Sequence, residues 1–300
     1  MQQFTVAQDG SGDFTTIQAA IDTVRVHWQV PSVIHIKNGV YREKITIPDN
    51  KTLIHLIGES VDGTILTYHQ HANMIGVEGQ PLGTFRTAVV SALGDDFRME
   101  RLTVHNTAGV GEGIGQAVAL YLAGDRAVIN NVRLLSYQDT LYTCKGRHYF
   151  TNCYIEGHVD YIFGEATAVF RQCELHSLRG GYITAACTAE RTPVGYVFID
   201  CRLTAASEDL DVYLGRPWRP HAHTVFIHTW MGAHIHPEGW DNWRDPNNEQ
   251  TVRYGEFGST GPGGNTGARV SWSRQLTAEE AGHLTPERIL AGVDGWNPIN

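Results

Sequence analysis

Residues 150–155 read FTNCYI, and closely similar segments recur along the middle of the chain. Each copy is short, rich in β-branched or aromatic residues, and has apolar residues two positions apart, so alternate side chains face one side of a strand. Successive copies are 21, 20, 28 and 28 residues apart. The copies are AVINNVRL (127–134), FTNCYI (150–155), FRQCEL (170–175), FIDCRL (198–203) and FIHTWM (226–231), with FRMERLTV (97–104) before them.

Repeated short strands without helical periodicity between them indicate coils stacked along an axis, each of which buries its inward face against its neighbours. The repeats therefore predict an all-β fold, a parallel β-helix, as a single domain over residues 1–300. A β-propeller is the alternative, whereas a helical repeat would need a 3.6-residue period that the copies lack. A helix over residues 15–24, opened by a Thr-x-x-Gln capping box, is expected to cap the N-terminal end. Two short helices are expected to start at Thr277 and Thr285.

The composition and the cysteine and histidine spacing argue against several classes of partner and ligand. Hydrophobic residues make up 42% of the chain and charged residues 18%, which is typical of a globular protein with a large core. The net charge of −9 argues against nucleic acid as a partner, and no apolar run is long enough for a membrane span. Five cysteines form no C-x-x-C pair, and the His221-x-His223 and His234-x-His236 pairs lack a third ligand, so no metal and no cofactor are expected.

Two aspartates lie one coil apart in the predicted repeat. Asp139 in QDTLY (138–142) and Asp160 in VDYIFG (159–164) are separated by 21 residues. Stacked coils would place them side by side, so that one carboxyl keeps its proton while the other stays charged. Arg216 in LGRPW (214–218) is a candidate partner for a carboxylate, and Gln116 and Gln138 are candidate amide donors to an oxyanion.

These motifs carry a resemblance to a known family. The chain resembles the pectin methylesterases, carbohydrate esterases with a right-handed parallel β-helix, over nearly its whole length. The segments that carry the resemblance are QDGSGDFTTIQAAID (8–22), GVYREK (39–44), NTAG (106–109), GQAVAL (115–120), GDR (124–126), YQDTLY (137–142), GHVDYIFG (157–164) and LGRPW (214–218).

The resemblance implies a role for each matching residue. Asp160 is expected to be the nucleophile that attacks the methyl-esterified carboxyl group of galacturonate, and Asp139 the acid and then the base. Gln116 and Gln138 are expected to stabilise the oxyanion, and Arg216 to pair with Asp160. The residues expected to line the sugar groove are Tyr142, Phe163 and Trp218, with Thr87 as a further contact.

The resemblance leaves several points open. His158, Tyr161 and Ser136 depart from the usual family pattern beside the carboxylates, and Cys153 and Cys173 match a pair that is either bonded or free. The expected partner is methylated homogalacturonan or its oligomers, bound by a monomer. A cytoplasmic location is expected if Met1 is the native start, and secretion if the chain is the mature part of a precursor. The alternatives are a pectate lyase or polygalacturonase, a non-catalytic carbohydrate-binding β-helix, and an esterase acting on another acyl substrate.

Overall fold

The computed structural model describes residues 1–299. The chain divides into two compact units, residues 1–142 and residues 143–300. The single domain over residues 1–300 stays a prediction. Strand β11 (Leu141–Thr143) contains the boundary between the units.

Unit 1 is built from parallel strands arranged in three stacks. One stack pairs β1, β2, β5, β8 and β10, a second pairs β3, β6 and β8, and a third pairs β4, β7 and β9. The elements are β1 (Gln2–Val6), α1 (Ile17–Thr23), β2 (Ser32–Ile36), β3 (Gly39–Arg42), β4 (Ile45–Ile47), β5 (Ile54–Gly58), β6 (Thr64–Tyr68), β7 (Val90–Ala92), β8 (Arg98–Asn106), β9 (Leu120–Leu122) and β10 (Ala127–Leu135).

Unit 2 repeats the arrangement with longer strands. Strands β12, β14, β16, β19 and β21 form one parallel stack, whereas β13 and β15 each contribute to two stacks, continued by β17 and β18. The elements are β12 (Arg147–Thr151), β13 (Tyr154–Gly164), β14 (Thr167–Arg171), β15 (Glu174–Ala186), β16 (Tyr196–Ile199), β17 (Arg202–Ala205), β18 (Val212–Gly215), β19 (His223–Ile227), β20 (Trp230–Met231), β21 (Arg253–Phe257), β22 (Arg274–Gln275), α2 (Ala278–Gly282) and α3 (Pro286–Leu290).

The repeated segment is a corner of the coil. One residue of every copy has a left-handed backbone, the third residue in the four copies that begin with phenylalanine at 150, 170, 198 and 226 and the fifth in the other two, and the chain turns there from one stack of strands to the next. In β8, for example, residues before Arg101 pair with β5 and residues after it pair with β6. The corner residues are Arg101 (φ 57°), Asn131 (53°), Asn152 (54°), Gln172 (54°), Asp200 (54°) and His228 (50°).

The register predicted from the repeat is confirmed in the core of unit 2. Phe150, Phe170, Phe198 and Phe226 are fully buried, and each ring stacks on the next with centroids 4.5 Å apart. The residue after the corner is a buried cysteine in three neighbouring coils: Cys153, Cys173 and Cys201. All three are free thiols, so Cys153 and Cys173 are not bonded to each other. The parallel β-helix predicted from the sequence is therefore confirmed.

The capping helices are confirmed, with one change. Helix α1 covers Ile17–Thr23 instead of the expected residues 15–24, because the side chain of Thr16 accepts from the Ala19 amide and acts as N-cap in place of Thr15. The carboxylate of Glu43 accepts hydrogen bonds from the first two amides of the helix, at 3.0 and 3.1 Å. At the other end, Thr277 and Glu280 form the expected capping box of α2.

Candidate active site

Asp160 lies at an irregular point of strand β13 in unit 2. The pairing of β13 with β15 shifts register on both sides of Val159, and Asp160 itself has a left-handed backbone with φ 52°. Only 7% of the residue is exposed. A carboxyl group so deeply buried needs partners, because an unpaired buried charge is costly.

Arg216 is the partner of that carboxyl group. Its Nε donates to Asp160 Oδ1 at 2.9 Å and its Nη2 donates to Oδ2 at 2.7 Å, which is the bidentate fork that a guanidinium forms with a carboxylate. The preceding Gly215 lies so close to Thr184 that an added Cβ would be 2.1 Å from the threonine hydroxyl. The predicted pairing of Arg216 with Asp160 is therefore present in unit 2.

The segment LGRPW continues the pairing of β18 with β15. The Arg216 amide donates to the Thr184 carbonyl and the Trp218 amide donates to the Ala186 carbonyl, each at 3.0 Å. Pro217, which has no N–H, falls at the intervening position that needs no donor. This backbone pattern explains how a proline-containing motif holds an arginine and a tryptophan at the end of a strand.

Two aromatic rings that the sequence analysis missed cover the guanidinium of Arg216. Its Cζ lies 3.9 Å from the centroid of the Tyr182 ring and 3.8 Å from that of the Trp243 ring. Arginine between aromatic faces gains cation–π attraction. Neither ring lies in a motif that the sequence analysis singled out.

The electrostatics of Asp160 reflect opposing effects. Burial raises the pKa of Asp160, the hydrogen bonds and charge of Arg216 lower it, and the charge of Asp241 raises it. The net direction is upward, so Asp160 takes up a proton at a higher pH than an exposed aspartate would. Arg216 limits this shift and thereby favours the charged carboxylate.

Two of the aromatic residues expected at the site, Phe163 and Trp218, contact each other in unit 2. Phe163 is buried three residues after Asp160 along β13, and its ring meets that of Trp218 edge-on, with centroids 5.9 Å apart. Trp218 is half-buried, and the guanidinium of Arg219 lies 5.0 Å from its ring centroid. Partly exposed aromatic rings of this kind can pack against the apolar face of a sugar.

In unit 1, the structure brings Gln116, Gln138 and Asp139 onto neighbouring segments. The Ala117 amide, next to Gln116, donates to the Gln138 carbonyl at 3.0 Å. Asp139 is 8% exposed and, like Asp160, has a left-handed backbone, with φ 65°. Within residues 1–299, neither glutamine side chain makes a hydrogen bond, so both amide groups are available as donors.

Tyr142 belongs to an aromatic cluster in unit 1. Its ring lies 4.9 Å from that of Phe85 and 4.8 Å from that of Tyr121, measured between centroids. Neither partner was predicted from the sequence, although Tyr121 precedes Tyr142 by the same 21 residues that separate the two aspartates.

Thr87, the further contact expected from the resemblance, makes its hydrogen bonds within unit 1. The residue is fully buried. Its hydroxyl donates to the Thr84 carbonyl at 2.7 Å and accepts from the Val118 amide at 3.0 Å, so both of its hydrogen-bonding roles serve the fold. The sugar contact expected at Thr87 stays a prediction.

Two of the three departures from the family pattern beside Asp139 and Asp160, Tyr161 and Ser136, are buried, whereas His158 is half-buried. Tyr161 is fully buried and its hydroxyl lies 3.3 Å from that of Ser177, and Ser136 donates to the Ala117 carbonyl at 2.6 Å. Both side chains therefore face the interior of their units and pack the coils.

One histidine of each pair noted in the sequence, His223 and His236, packs against neighbouring residues. His223 is buried and accepts from the Gly195 amide at 3.2 Å, and burial lowers its pKa to about 4. The ring of His236 stacks on Tyr213 with centroids 4.3 Å apart. Among residues 1–299, no three histidine, cysteine or carboxylate side chains come together as metal ligands would.

Comparison with known proteins places these features in a family. A family model described as Pectinesterase matches residues 3–293. Pectinesterase 31 of Arabidopsis thaliana is 40% identical over 289 residues, which cover 93% of this chain and 89% of the relative. Pectinesterase QRT1 of the same plant is 38% identical over 298 residues, covering 97% of this chain and 77% of the relative.

The solved structures that this chain resembles belong to the same family. The pectin methylesterase from carrot is 34% identical and superposes with a TM-score of 0.91, over 98% of this chain and 94% of that one. A pectin methylesterase in complex with a hexasaccharide is 32% identical, with a TM-score of 0.86, over 99% of this chain and 98% of that one. The fold and the site thus define a carboxylic ester hydrolase built on a parallel β-helix. The chain belongs to the pectinesterase family.

The relatives also correct one expectation. The cytoplasmic location is wrong, because the relatives are plant pectinesterases, and the alternative expectation, secretion, is the one that agrees with them. The expectation rested on where the chain begins, which says nothing about how the protein is delivered. None of the helices in residues 1–299 has the length and apolar character that a membrane span requires.

Proposed function

We propose that this chain hydrolyses the C6 methyl esters of galacturonate units in pectin or its oligomers and releases methanol. The observation that carries the proposal is the buried carboxylate of Asp160, which accepts two hydrogen bonds from Arg216 in the same unit as the contacting rings of Phe163 and Trp218. The membership of the chain in the pectinesterase family supports the reaction, and the relative solved with a hexasaccharide supports a sugar oligomer as ligand.

In the first half of the proposed reaction, an oxygen of Asp160 attacks the carbonyl carbon of the ester. Negative charge develops on the carbonyl oxygen, and the amide groups of Gln116 and Gln138 stabilise it. The bond to the methoxy group then breaks, and Asp139 donates its proton to the leaving oxygen, so methanol departs. The product is an anhydride between Asp160 and the galacturonate.

In the second half, Asp139 acts as a base. It takes a proton from water, and the resulting hydroxide attacks the galacturonate carbonyl of the anhydride. The bond to Asp160 breaks, which restores the carboxylate of Asp160 and the protonated form of Asp139. The sum is one ester and one water converted to one acid and one methanol. Arg216 favours the charged form of Asp160 in which the cycle begins and ends.

The substrate is proposed to bind along the aromatic residues Trp218, Phe163 and Tyr142. The proposed reaction needs no metal or cofactor, because both proton transfers use Asp139 and the nucleophile is a side chain. We propose that the protein acts as a monomer. Nucleic acid and membrane remain unexpected partners on the net charge of −9 and the sequence pattern.

The test measures methanol released from highly methylated pectin and from methylated oligogalacturonates, with a chelator present. The variant Asp160→Ala should release no methanol while keeping its circular dichroism spectrum. Asp200→Ala is the matched control, because Asp200 is also a left-handed aspartate of a coil corner, with φ 54°, but is exposed.

Activity in Asp160→Ala equal to that of the unchanged protein would contradict the proposed nucleophile. The length of the polymer is measured in the same samples. Unchanged length with methanol release excludes the lyase and polygalacturonase alternatives, and no methanol from a folded protein would favour the binding module or an esterase with another substrate.

A further inference from the structure

We propose that Tyr182 and Trp243 are positioning residues, which hold the guanidinium of Arg216 in the plane that its fork with Asp160 requires. The inference rests on the proposed function, since it assigns Asp160 a reacting carboxylate. It adds two residues that touch neither the ester nor Asp160 in the proposed reaction and act through Arg216.

The geometry supports this assignment. The fork uses one edge of the guanidinium, through Nε and Nη2, and leaves both of its flat faces uncovered by hydrogen bonds. Tyr182 and Trp243 lie against Cζ, at 3.9 and 3.8 Å from their ring centroids. A guanidinium that tilts loses one of its two parallel bonds, because the fork is planar. Rings against the guanidinium therefore stabilise the orientation that keeps both bonds.

Trp243 is placed by a strained turn. Trp243 and Arg244 both have a left-handed backbone, each with φ 59°. Such a conformation is unfavourable for a non-glycine residue. Local hydrogen bonds retain it: Asp241 Oδ1 accepts from the Trp243 amide at 2.7 Å, and Asn248 donates to the Asn242 carbonyl at 2.9 Å. Strain that the surrounding structure maintains in this way is typical of functional sites.

Tyr182 is placed by stacking. Its ring packs on Tyr213 with centroids 5.6 Å apart, and Tyr213 packs on His236 with centroids 4.3 Å apart. Burial raises the pKa of Tyr182, so its phenol stays neutral and adds no charge beside Arg216. The two rings are thus held independently, one by a turn and one by a row of stacked side chains.

The charges around Asp160 make its ionisation sensitive to Arg216. The groups of unit 2 that act on it electrostatically are Arg216, Asp241, Tyr182 and Tyr254. Of these four, Arg216 alone is positive. A looser Arg216 should therefore move the titration of Asp160 to higher pH, which a general loss of packing elsewhere would not do.

The experiment compares Trp243→Leu with Trp243→Phe. Both variants carry the same backbone strain at residue 243, and only phenylalanine keeps an aromatic face. Two quantities are measured: the titration of the Asp160 carboxyl carbon by NMR, assigned with Asp160→Asn, and kcat/KM for methanol release as a function of pH. In Trp243→Leu, the Asp160 titration and the acid limb of the rate profile should move to higher pH. At neutral pH, kcat/KM should fall about tenfold through kcat. In Trp243→Phe, the Asp160 titration and kcat/KM should both return most of the way to the values of the unchanged protein.

The matched control is Trp230→Leu. Trp230 also packs on an arginine, with Arg202 Cζ 4.4 Å from its ring centroid, but this pair is not in contact with Asp160 or Arg216 in the structure. This control should leave the Asp160 titration and the rate profile unchanged. If Trp243→Leu does not fold, Tyr182→Leu and Tyr182→Phe make the same comparison on the other ring.

The outcomes separate the two proposals. An Asp160 titration in Trp243→Leu identical to that of the unchanged protein would overturn the positioning role, as would an equal shift in Trp243→Phe. A shifted titration with an unchanged rate profile would leave the positioning role intact and contradict the assignment of Asp160 as nucleophile.

Discussion

Replacing Arg216 by methionine removes the positive partner of Asp160 while keeping much of the side-chain volume. The two hydrogen bonds of 2.9 and 2.7 Å would be lost from a residue that is 7% exposed. Removing one partner of a buried ion pair costs about 3–5 kcal/mol. Because 20% of the Arg216 side chain is exposed, we expect the lower end, about 3 kcal/mol of unfolding free energy at pH 7.

The loss should depend on pH. Without Arg216, burial and the charge of Asp241 act unopposed and raise the pKa of Asp160 further above its value in the unfolded chain. A group whose pKa is raised by folding contributes stability that is present at low pH and is lost as the pH rises through the folded pKa. The difference between Arg216→Met and the unchanged protein should therefore shrink as the pH falls.

Urea unfolding at a series of pH values measures this difference, provided that the slope of the transition is unchanged. The double variant Asp160→Asn/Arg216→Met should recover more than half of the loss at pH 7, since a neutral amide needs no counter-charge. An Arg216→Met protein within about 0.5 kcal/mol of the unchanged one at pH 7 would refute the reasoning, because that is the range of ordinary surface substitutions. The reasoning would also be refuted if the double variant Asp160→Asn/Arg216→Met lost as much unfolding free energy as Arg216→Met alone.

Two further predictions concern other parts of unit 2. Arg269 and Glu256 form an ion pair of 2.7 Å with 3% and 0% of their side chains exposed, so Arg269→Met should lose about 3–5 kcal/mol in urea unfolding. Glu256→Met/Arg269→Met should regain much of this loss, and an additive double variant would contradict the pairing. Burial raises the pKa of Cys173 well above its ordinary value, so in folded protein at pH 8 it should alkylate far more slowly than the half-exposed Cys144. Mass spectrometry measures both alkylation rates, and equal rates for Cys173 and Cys144 would contradict the burial of the Cys173 thiol.

The coil register was predictable from sequence because it rests on side chains that must repeat. A buried phenylalanine at the start of FTNCYI can stack only on a neighbour at the equivalent position, so the spacing of the copies reports the pairing directly. The confirmed stack from Phe150 to Phe226 follows from that constraint. The partner of Asp160 was likewise expected, through the resemblance carried by LGRPW.

The remaining features depend on contacts between segments without a repeat. The ring of Trp243 reaches Arg216 through two successive left-handed residues, which no local sequence signal marks. Glu256 meets Arg269 across a glycine-rich stretch, and neither residue has a periodic environment. Thr87 matched a family position by residue type, but its burial is set by packing around Val118 that its own sequence neighbourhood does not show.

The connections between successive strands of unit 2 differ in length, and this difference shows where the chain tolerates insertions. Two residues, 165–166, connect β13 to β14, whereas nine, 187–195, connect β15 to β16, and seven, 216–222, connect β18 to β19. The phenylalanine stack keeps its 4.5 Å spacing from coil to coil despite this difference. Length can therefore be gained or lost in these connections without disturbing the coils on either side. Because the connection 216–222 carries Arg216 and Trp218, a change in its length would move these two side chains while the strands on either side keep their places.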